Sequence, residues 1–207
     1  MLKTTWGYTL TGVNKIPDFL TPAEFDAFTN GKFNGLLDTR VKANIPSATR
    51  AIQNYCGWHI YPNLECATEY RVADLRDYLL GHDLLIQLPA TMVTAIKSLT
   101  IDGENITDFD LENDRAVRVY DCASFDKRSK LRVVFDAGVD ASQMDLIKEL
   151  VAHRITHAVS SSYGVMSEAA GGVSVTYNSA WAGNTRSTAL PDDNKEILEP
   201  FKVKGVF

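Results

Sequence analysis

The sequence has few cysteines and no long apolar run. A helix that spans a membrane needs about 20 consecutive apolar residues, and no stretch approaches that length. The opening residues, MLKTTWGYTLTGVNK, also lack the continuous apolar segment of a secretion signal. Cys56, Cys66 and Cys122 are odd in number and widely spaced, which favours reduced thiols over a disulfide framework. We therefore expect a globular protein that is neither secreted nor inserted in a membrane.

Positive charge is also in short supply. The 21 basic residues are outnumbered by 26 acidic ones, for a net charge of -5. Such a balance gives no general affinity for phosphate backbones or anionic lipid, so a dedicated DNA-binding module is not expected. With 207 residues, of which 45% are hydrophobic, the chain can bury an ordinary core as one elaborated domain or two small ones.

The motifs of common enzyme sites are missing. No Gly-x-Ser-x-Gly occurs, and AAGGVSV (residues 169–175) has neither the lysine of a P-loop nor the setting of a dinucleotide fingerprint. The acidic segment DFDLEND (residues 108–114) departs from EF-hand spacing and is interpreted as a solvated turn. These absences predict a protein that is not an enzyme and that carries no cofactor.

Two histidines are the remaining candidates for metal chemistry. His153 and His157 stand four residues apart on a predicted helix, but HRITH has arginine where a zinc protease places its catalytic glutamate. We interpret them as polar or interface residues, and a metal-dependent enzyme using both is the lesser alternative. Cys56 and His59 form a lone C-x-x-H pair, which we interpret as a buried thiol beside a helix end.

Helical patterns occupy both ends of the chain. Thr21 is a predicted N-cap, with proline next and Glu24 completing a capping box. A second helix is predicted over residues 38–56, kinked or briefly broken at Pro46 and ended by Gly57 before an extended segment over residues 58–61. A third helix is predicted from Ser142 to Tyr163, with Gly164 as its stop, and its apolar stripe consists of Met144, Ile147, Val151, Ile155, Ala158 and Val159.

The middle of the chain has strand periodicity. Strands are predicted at residues 85–89, 98–107, 116–120 and 130–136, with a tight turn at Asp102-Gly103 and a loop or irregular turn over residues 72–83. The predicted fold class is α+β: a helical bundle, with a long central helix, N-terminal helices and a short C-terminal helix, that carries an inserted small antiparallel β-hairpin domain. The predicted segments are an extended arm (1–20), a helical region (21–59), the hairpin insertion (60–138), the long helix (139–165), a Gly-rich loop (166–190) and a C-terminal helix and tail (191–207).

Aromatic and apolar residues near the chain ends suit contacts with other proteins. The tail FKVKGVF follows a helix that ends near Pro200, and it suits either addition to a neighbouring sheet edge or folding back onto its own domain. Aromatic residues on flexible segments either enter the core or anchor an interface. The candidates for contacts with sister subunits or neck proteins are Trp6, Tyr8, Tyr177 and Trp181.

Four segments, taken in order, resemble the head-to-tail adaptor, or head-completion, proteins of long-tailed bacteriophages. They are SATRAIQNYCGWHIYP, LIQLPATMVTAIKSLTIDGENIT, LRVVFDAG and SEAAGGVSVTYN, within a resemblance that covers roughly residues 25–201. The resemblance implies a ring of twelve copies beneath the portal protein, located in the virion neck and assembled in the host cytoplasm. Such a ring extends the channel through which genomic DNA passes without sequence-specific binding, and it carries the stopper or tail-terminator protein.

The resemblance also assigns portal binding to the C-terminal helix and tail. The residues implied are Pro191, Ile197, Leu198, Phe201, Lys202, Val203, Lys204, Val206 and Phe207. The N-terminal arm and residues 72–83 are longer than the usual pattern. Another phage neck or tail-completion subunit is the main alternative to an adaptor.

Overall fold

The computed structural model describes residues 1–33, 38–80, 82–121, 126, 128–160, 167–170, 173–176 and 192–203, with side chains described except at 76–80, 167–170, 173–176 and 192–194. The chain forms two compact units. The first comprises Met1–Pro17, Cys56–Ala141 and the chain from Phe201 onward, and the second comprises Asp18–Tyr55 and Ser142–Pro200.

The first unit is built from antiparallel strands. In the described residues these are β1 (Leu2–Lys3), β2 (Thr9–Leu10), β3 (Leu64–Arg71), β4 (Leu79–Leu80), β5 (Asp83–Gln87), β6 (Val93–Ile101), β7 (Glu104–Ile106), β8 (Phe109–Asn113), β9 (Ala116–Val119) and β10 (Lys130–Ala137). One sheet has six strands in the order β1-β2-β3-β10-β6-β7, and the other has four in the order β4-β5-β9-β8. A 3-10 helix, Val72–Tyr78, lies between β3 and β4 in the chain.

Strand β10 lies in the interior of the six-stranded sheet, between β3 and β6, and its sequence alternates cleanly. Leu131, Val133, Phe135 and Ala137 are buried, and the residues between them are at least partly exposed. Val133 pairs with Thr68 on β3 and with Leu99 on β6. The apolar face of this strand therefore meets buried residues on both sides, which is the arrangement that stabilises a sheet.

The N-terminal residues belong to the same sheet. Strand β1 pairs with β2, and β2 pairs with β3 through Thr9 opposite Ala67 and Leu10 opposite Cys66. Leu10 is fully buried. The predicted extended arm thus supplies two strands of the first unit.

The second unit contains helices and one hairpin. The helices are α1 (Pro22–Phe28), α2 (Thr39–Cys56), α3 (Asp145–Ser160) and α4 (Asp192–Leu198), and the hairpin joins β11 (Ser167–Ala170) to β12 (Val173–Thr176). The predicted capping box is confirmed, since the Thr21 hydroxyl accepts from the Glu24 N–H at 3.2 Å and the Glu24 carboxylate accepts from the Thr21 N–H at 2.8 Å. Lys148 on α3 forms an ion pair with Glu24, which joins α3 to α1.

Helix α3 buries most of the stripe that its sequence predicts. Its buried residues are Ile147, Leu150, Val151, Ala152, Ile155 and Val159. Met144, just before the helix, is also buried. Ala158 is exposed, so that member of the stripe was wrong, and Gly164 lies outside the described residues. None of the helices in the described part of the chain combines the length and apolar character that a membrane span requires.

The prediction of a helical bundle with an inserted hairpin domain was wrong. The chain has a β-rich unit, with a six-stranded and a four-stranded sheet, and a second unit that contains the helices. Strand β3 carries three consecutive buried residues, Cys66, Ala67 and Thr68, so it lacks the alternation by which a strand is recognised in sequence. The strands of the N-terminal arm are too short to show a pattern at all.

Three local predictions also need correction. Helix α2 runs through Pro46, so of the two alternatives predicted there the short break was wrong and the kink stays a prediction, and residues 109–113 of the acidic segment form strand β8 rather than a turn. The segment after Gly57 is not extended, because Ile60 has a φ of 65°, a conformation that β-branched residues rarely adopt. Trp58, His59 and Ile60 are consequently all buried instead of alternating.

Candidate functional site

The turn after α2 holds a buried pair that joins it to the N-terminal strands. The Tyr8 hydroxyl lies 2.9 Å from His59 Nδ1 and accepts from the His59 backbone N–H at 3.0 Å. His59 Nε2 lies 3.1 Å from both the Pro62 and the Ala137 carbonyl oxygens. Since carbonyl oxygens only accept, Nε2 carries the ring hydrogen and Nδ1 accepts from Tyr8. Both nitrogens of the neutral ring are therefore occupied.

Burial makes this histidine difficult to protonate. It lowers the pKa of His59 to about 4, although the hydrogen bonds to Pro62 and Ala137 act in the opposite direction. The ring is thus neutral at physiological pH. The hydrogen bonds of its ring and of the His59 backbone N–H connect the N-terminal arm, the turn after α2 and the end of β10, which is a structural role.

The two aromatic residues of the arm differ in their exposure. Tyr8 is buried by its own unit, so it is not available as the predicted contact with a sister subunit or neck protein. Trp6 is half-buried and stacks on Tyr8 with ring centroids 6.2 Å apart. Tyr177 and Trp181, the other two predicted contacts, lie outside the described residues.

The predicted portal-binding segment begins within the second unit. In α4, Leu198 is fully buried and Ile197 is half-buried. The Glu199 carboxylate accepts from the Tyr55 hydroxyl at 3.0 Å, which ties the end of α4 to α2. Leu198 therefore packs inside the protein, and its side chain is not exposed for a partner. Pro191 lies outside the described residues.

The start of the tail is held by the turn after α2. The Trp58 indole N–H donates to the Phe201 carbonyl, and the Val203 N–H donates to the Cys56 carbonyl at 2.9 Å. A methyl group added to Gly57 would lie 3.8 Å from Val203 Cβ, so the tail runs directly beside this glycine. We call these contacts the tail clip. They show that residues 201–203 fold back onto their own unit, whereas Lys204, Val206 and Phe207 lie outside the described residues.

Gly57 is suited to this position. Its φ of 80° confirms the predicted C-cap of α2, and this left-handed conformation is the reason that glycine is favoured here. The sequence pattern found the cap but not the clip, because Trp58 and Phe201 are 143 residues apart. The dense aromatic segment CGWHIYP was the only signal of a specialised junction.

Replacing Trp58 by phenylalanine is expected to weaken the tail clip. The change keeps most of the buried apolar surface but removes the only donor to the Phe201 carbonyl that the described residues show, and losing one such bond costs about 1–2 kcal/mol. Urea unfolding should show that loss, and hydrogen exchange at the Val203 amide should accelerate. Trp6→Phe is the matched control, since that side chain is half-buried. Equal losses in the two variants would contradict a specific role for the indole N–H.

The two histidines of α3 are close together. The rings of His153 and His157 meet edge to face with centroids 4.6 Å apart. His153 is exposed and His157 is half-buried, and the pKa of His157 is lowered by burial and by the neighbouring His153. Among the described residues no group of three or more side chains is arranged to hold a metal ion. The pair alone therefore offers two ligands at the protein surface.

Comparison with known proteins identifies the family. A sequence model described as head completion protein matches residues 18–203, whereas a search of curated proteins finds no match. The matched region begins where the second unit begins and leaves out the N-terminal strands. Because the match spans most of the chain, this protein belongs to the head completion protein family and is a structural component of the phage virion.

Proposed function

We propose that the protein is a head-to-tail adaptor, a ring of twelve copies that binds beneath the portal, extends the DNA channel and carries the stopper or tail-terminator protein. The observation that carries this proposal is the family match over residues 18–203. The resemblance of the four sequence segments supports the finer assignment to an adaptor. Permanent ring contacts of this kind bury on the order of 2,000 Å² or more.

The tail clip supports a portal-binding role for the end of the chain. Because Phe201 and Val203 are bonded to the turn after α2, the residues that follow begin from a fixed point on the first unit. An anchored segment loses less conformational entropy on binding than a free one. We assign portal contact to Pro191, Ile197, Phe201, Lys202, Val203, Lys204, Val206 and Phe207, with Leu198 supporting α4 from inside.

The remaining proposed contacts are lateral or with the neck. We assign these to Trp6, Tyr177 and Trp181, while Tyr8 holds Trp6 in place from the core. The net charge of -5 is compatible with a lumen that repels DNA and lets it slide. No membrane contact forms part of the proposal.

Electron microscopy of the protein mixed with its portal tests the adaptor role. A twelve-fold collar at the narrow end of the portal is the expected result. Removal of residues 204–207 should abolish the collar and leave the stability unchanged, because it spares the tail clip. Removal of residues 201–207 serves as the comparison and should also lower the free energy of unfolding, since it deletes the Phe201 carbonyl and the Val203 amide.

Two results would refute different parts of the proposal. A normal collar formed by the shorter truncation would show that the tail end does not bind the portal. A full-length protein that forms no collar would refute the adaptor role itself.

A stopper or tail-completion subunit is the second candidate. The β-rich first unit favours it, while the long helix α3 with its six buried residues favours the adaptor. The same images separate the two, because a stopper binds beneath an adaptor rather than directly to the portal. Metal analysis of the purified protein tests the lesser alternative of an enzyme at His153 and His157.

A further inference from the structure

One edge of the four-stranded sheet differs from the other edges of the two large sheets. The edge strands β1, β4 and β7 are two or three residues long, whereas β8 has five residues. Short edge strands offer little to pair with, and longer ones are templates for another strand. Strand β8 is therefore the longest of these four edges, and its register against β9 is regular from Phe109 to Leu111 and shifts between Leu111 and Asn113.

The inward face of β8 is apolar and incompletely covered. Phe109 pairs with Val119 and Leu111 pairs with Val117, and both valines are fully buried. Leu111 remains 38% exposed and is one of the few large hydrophobic side chains that are exposed in the described part of the chain. The apolar layer of the sheet thus continues to β8, and no strand in the described part of the chain pairs with β8 on its far side.

The outward face of β8 is acidic. Glu112 accepts two hydrogen bonds from Arg118, at 2.7 and 2.8 Å, and Asp110 accepts one from the Tyr120 hydroxyl at 3.0 Å. Asp108 and Asp114 are exposed beside the two ends of the strand. Four carboxylates therefore lie along seven residues, and Arg118 is the basic group bonded to this face in the described structure.

The backbone of β8 is oriented to bind a further strand. The Tyr120 N–H donates to the Asp108 carbonyl at 3.2 Å, so those two residues form a hydrogen-bonded pair. In an antiparallel ladder such pairs alternate with non-bonded ones, and the register places Phe109 and Leu111 at non-bonded positions. Their N–H and C=O groups consequently point away from β9.

We propose that β8 is a docking edge for an extended segment of another virion protein in which apolar residues alternate with lysine or arginine. The apolar side chains of that segment would cover Leu111 and Phe109, and its basic side chains would lie beside Asp110 and Glu112. Main-chain hydrogen bonds provide affinity in this binding mode and the alternating side chains provide specificity. The proposal deepens the adaptor function, on which its biological setting rests, by stating the chemistry of a partner.

Charge disfavours the simplest alternative, a second copy of the same edge. Antiparallel pairing of two β8 strands about Leu111 would place Asp110 of each copy opposite Glu112 of the other. Like charges directly opposite in a ladder are destabilising. A basic partner is therefore favoured over self-association at this edge.

A peptide of seven alternating lysine and valine residues tests the proposal on the full-length protein. NMR titration should show binding, with slowed hydrogen exchange at the Phe109 and Leu111 amides. The same peptide with glutamate in place of lysine should bind at least about tenfold more weakly. A third peptide with proline at the central valine should also bind poorly, because proline removes an N–H from the ladder.

Variants of the protein complete the experiment. Leu111→Thr keeps a residue suited to strands and removes apolar cover, so it should weaken lysine-peptide binding several-fold. Asp110→Asn should do the same by removing charge. Leu146→Thr is the matched control, because Leu146 is 51% exposed on α3 and should leave binding unchanged.

The outcomes separate this proposal from the adaptor role. Equal binding of the lysine and glutamate peptides, protection of other amides, or no effect of Leu111→Thr and Asp110→Asn would refute the docking edge. A normal portal collar alongside those results would leave the adaptor role intact. If no collar forms but the peptide binds specifically, the adaptor role is refuted and the docking-edge proposal stands.

Discussion

Replacing Gly138 by alanine is expected to lower the free energy of unfolding by more than about 3 kcal/mol. Gly138 has a φ of 141°, and a Cβ added there would overlap the Pro62 carbonyl oxygen and lie 2.5 Å from Asn63 Cα. Both obstacles are backbone atoms, so no side-chain rotation relieves the overlap. The glycine also follows directly after β10, whose last residue accepts from His59. Its displacement should therefore disturb the Tyr8–His59 pair.

Two other glycines serve as controls that separate the free-energy cost of the steric overlap from the cost of the positive φ. Gly12 and Gly103 have φ values of 76° and 90°, and an added Cβ at either meets nothing within 4 Å. Alanine at these positions should cost only the conformational strain of about 1–2 kcal/mol. Urea unfolding of the three variants gives the comparison. If Gly138→Ala is no less stable than Gly103→Ala, the close approach of the backbone does not constrain the fold.

Acidification is expected to destabilise the protein by about 3 kcal/mol through His59 alone. The folded-state pKa is about 4 because the ring is buried, against an ordinary value of 6.5, and that difference sets the magnitude. Above pH 6.5 the ring is neutral in both states, so stability does not depend on it. Between pH 6.5 and 4 the unfolded chain takes up the proton first, and stability falls. Below pH 4 both states are protonated, and this contribution no longer changes.

The variant His59→Gln isolates the effect. Glutamine does not titrate, so the variant should lose the part of the pH dependence that belongs to His59, while the carboxylates titrate in both proteins. Chemical unfolding at intervals from pH 7.5 to pH 3.5 measures the two profiles. Their slopes are compared rather than their absolute stabilities, because glutamine also disturbs the hydrogen bonds to Tyr8 and Pro62. Parallel profiles would show that the pKa of His59 is the same in the folded and unfolded protein, and would contradict the lowered pKa.

Local chemistry allowed several elements to be predicted from sequence. The capping box at Thr21 and Glu24 is complete within four residues, and the Asp102-Gly103 turn joins β6 to β7 with φ values of 50° and 90°. Strand β10 was predicted because its alternation is strict. In each case the residues that decide the structure are neighbours in the chain, so the pattern is visible there.

The candidate functional site was less accessible to sequence reasoning. The tail was singled out as a candidate for contacts with other proteins, but the bonds of Phe201 and Val203 to Trp58 and Cys56, far away in the chain, were not predicted. The conformation of Ile60 likewise depends on surrounding packing, since nothing in its sequence favours a positive φ. The docking edge at β8 was interpreted as a solvated turn because its exposed carboxylates hide the alternation of Phe109 and Leu111.

The amino-acid sequence by itself determined the family, through the order of its motifs, and the caps and turns through contacts between near neighbours. Only the tertiary structure decided that sheets rather than a helical bundle dominate the first unit, that the N-terminal arm joins β3, and that the tail begins from a clip. The clip, the β2–β3 pairing and the β3–β10 pairing at the centre of the six-stranded sheet all depend on hydrogen bonds between residues more than fifty positions apart. Strand pairing over such distances is set by which surfaces can be buried together, and no local pattern encodes that choice.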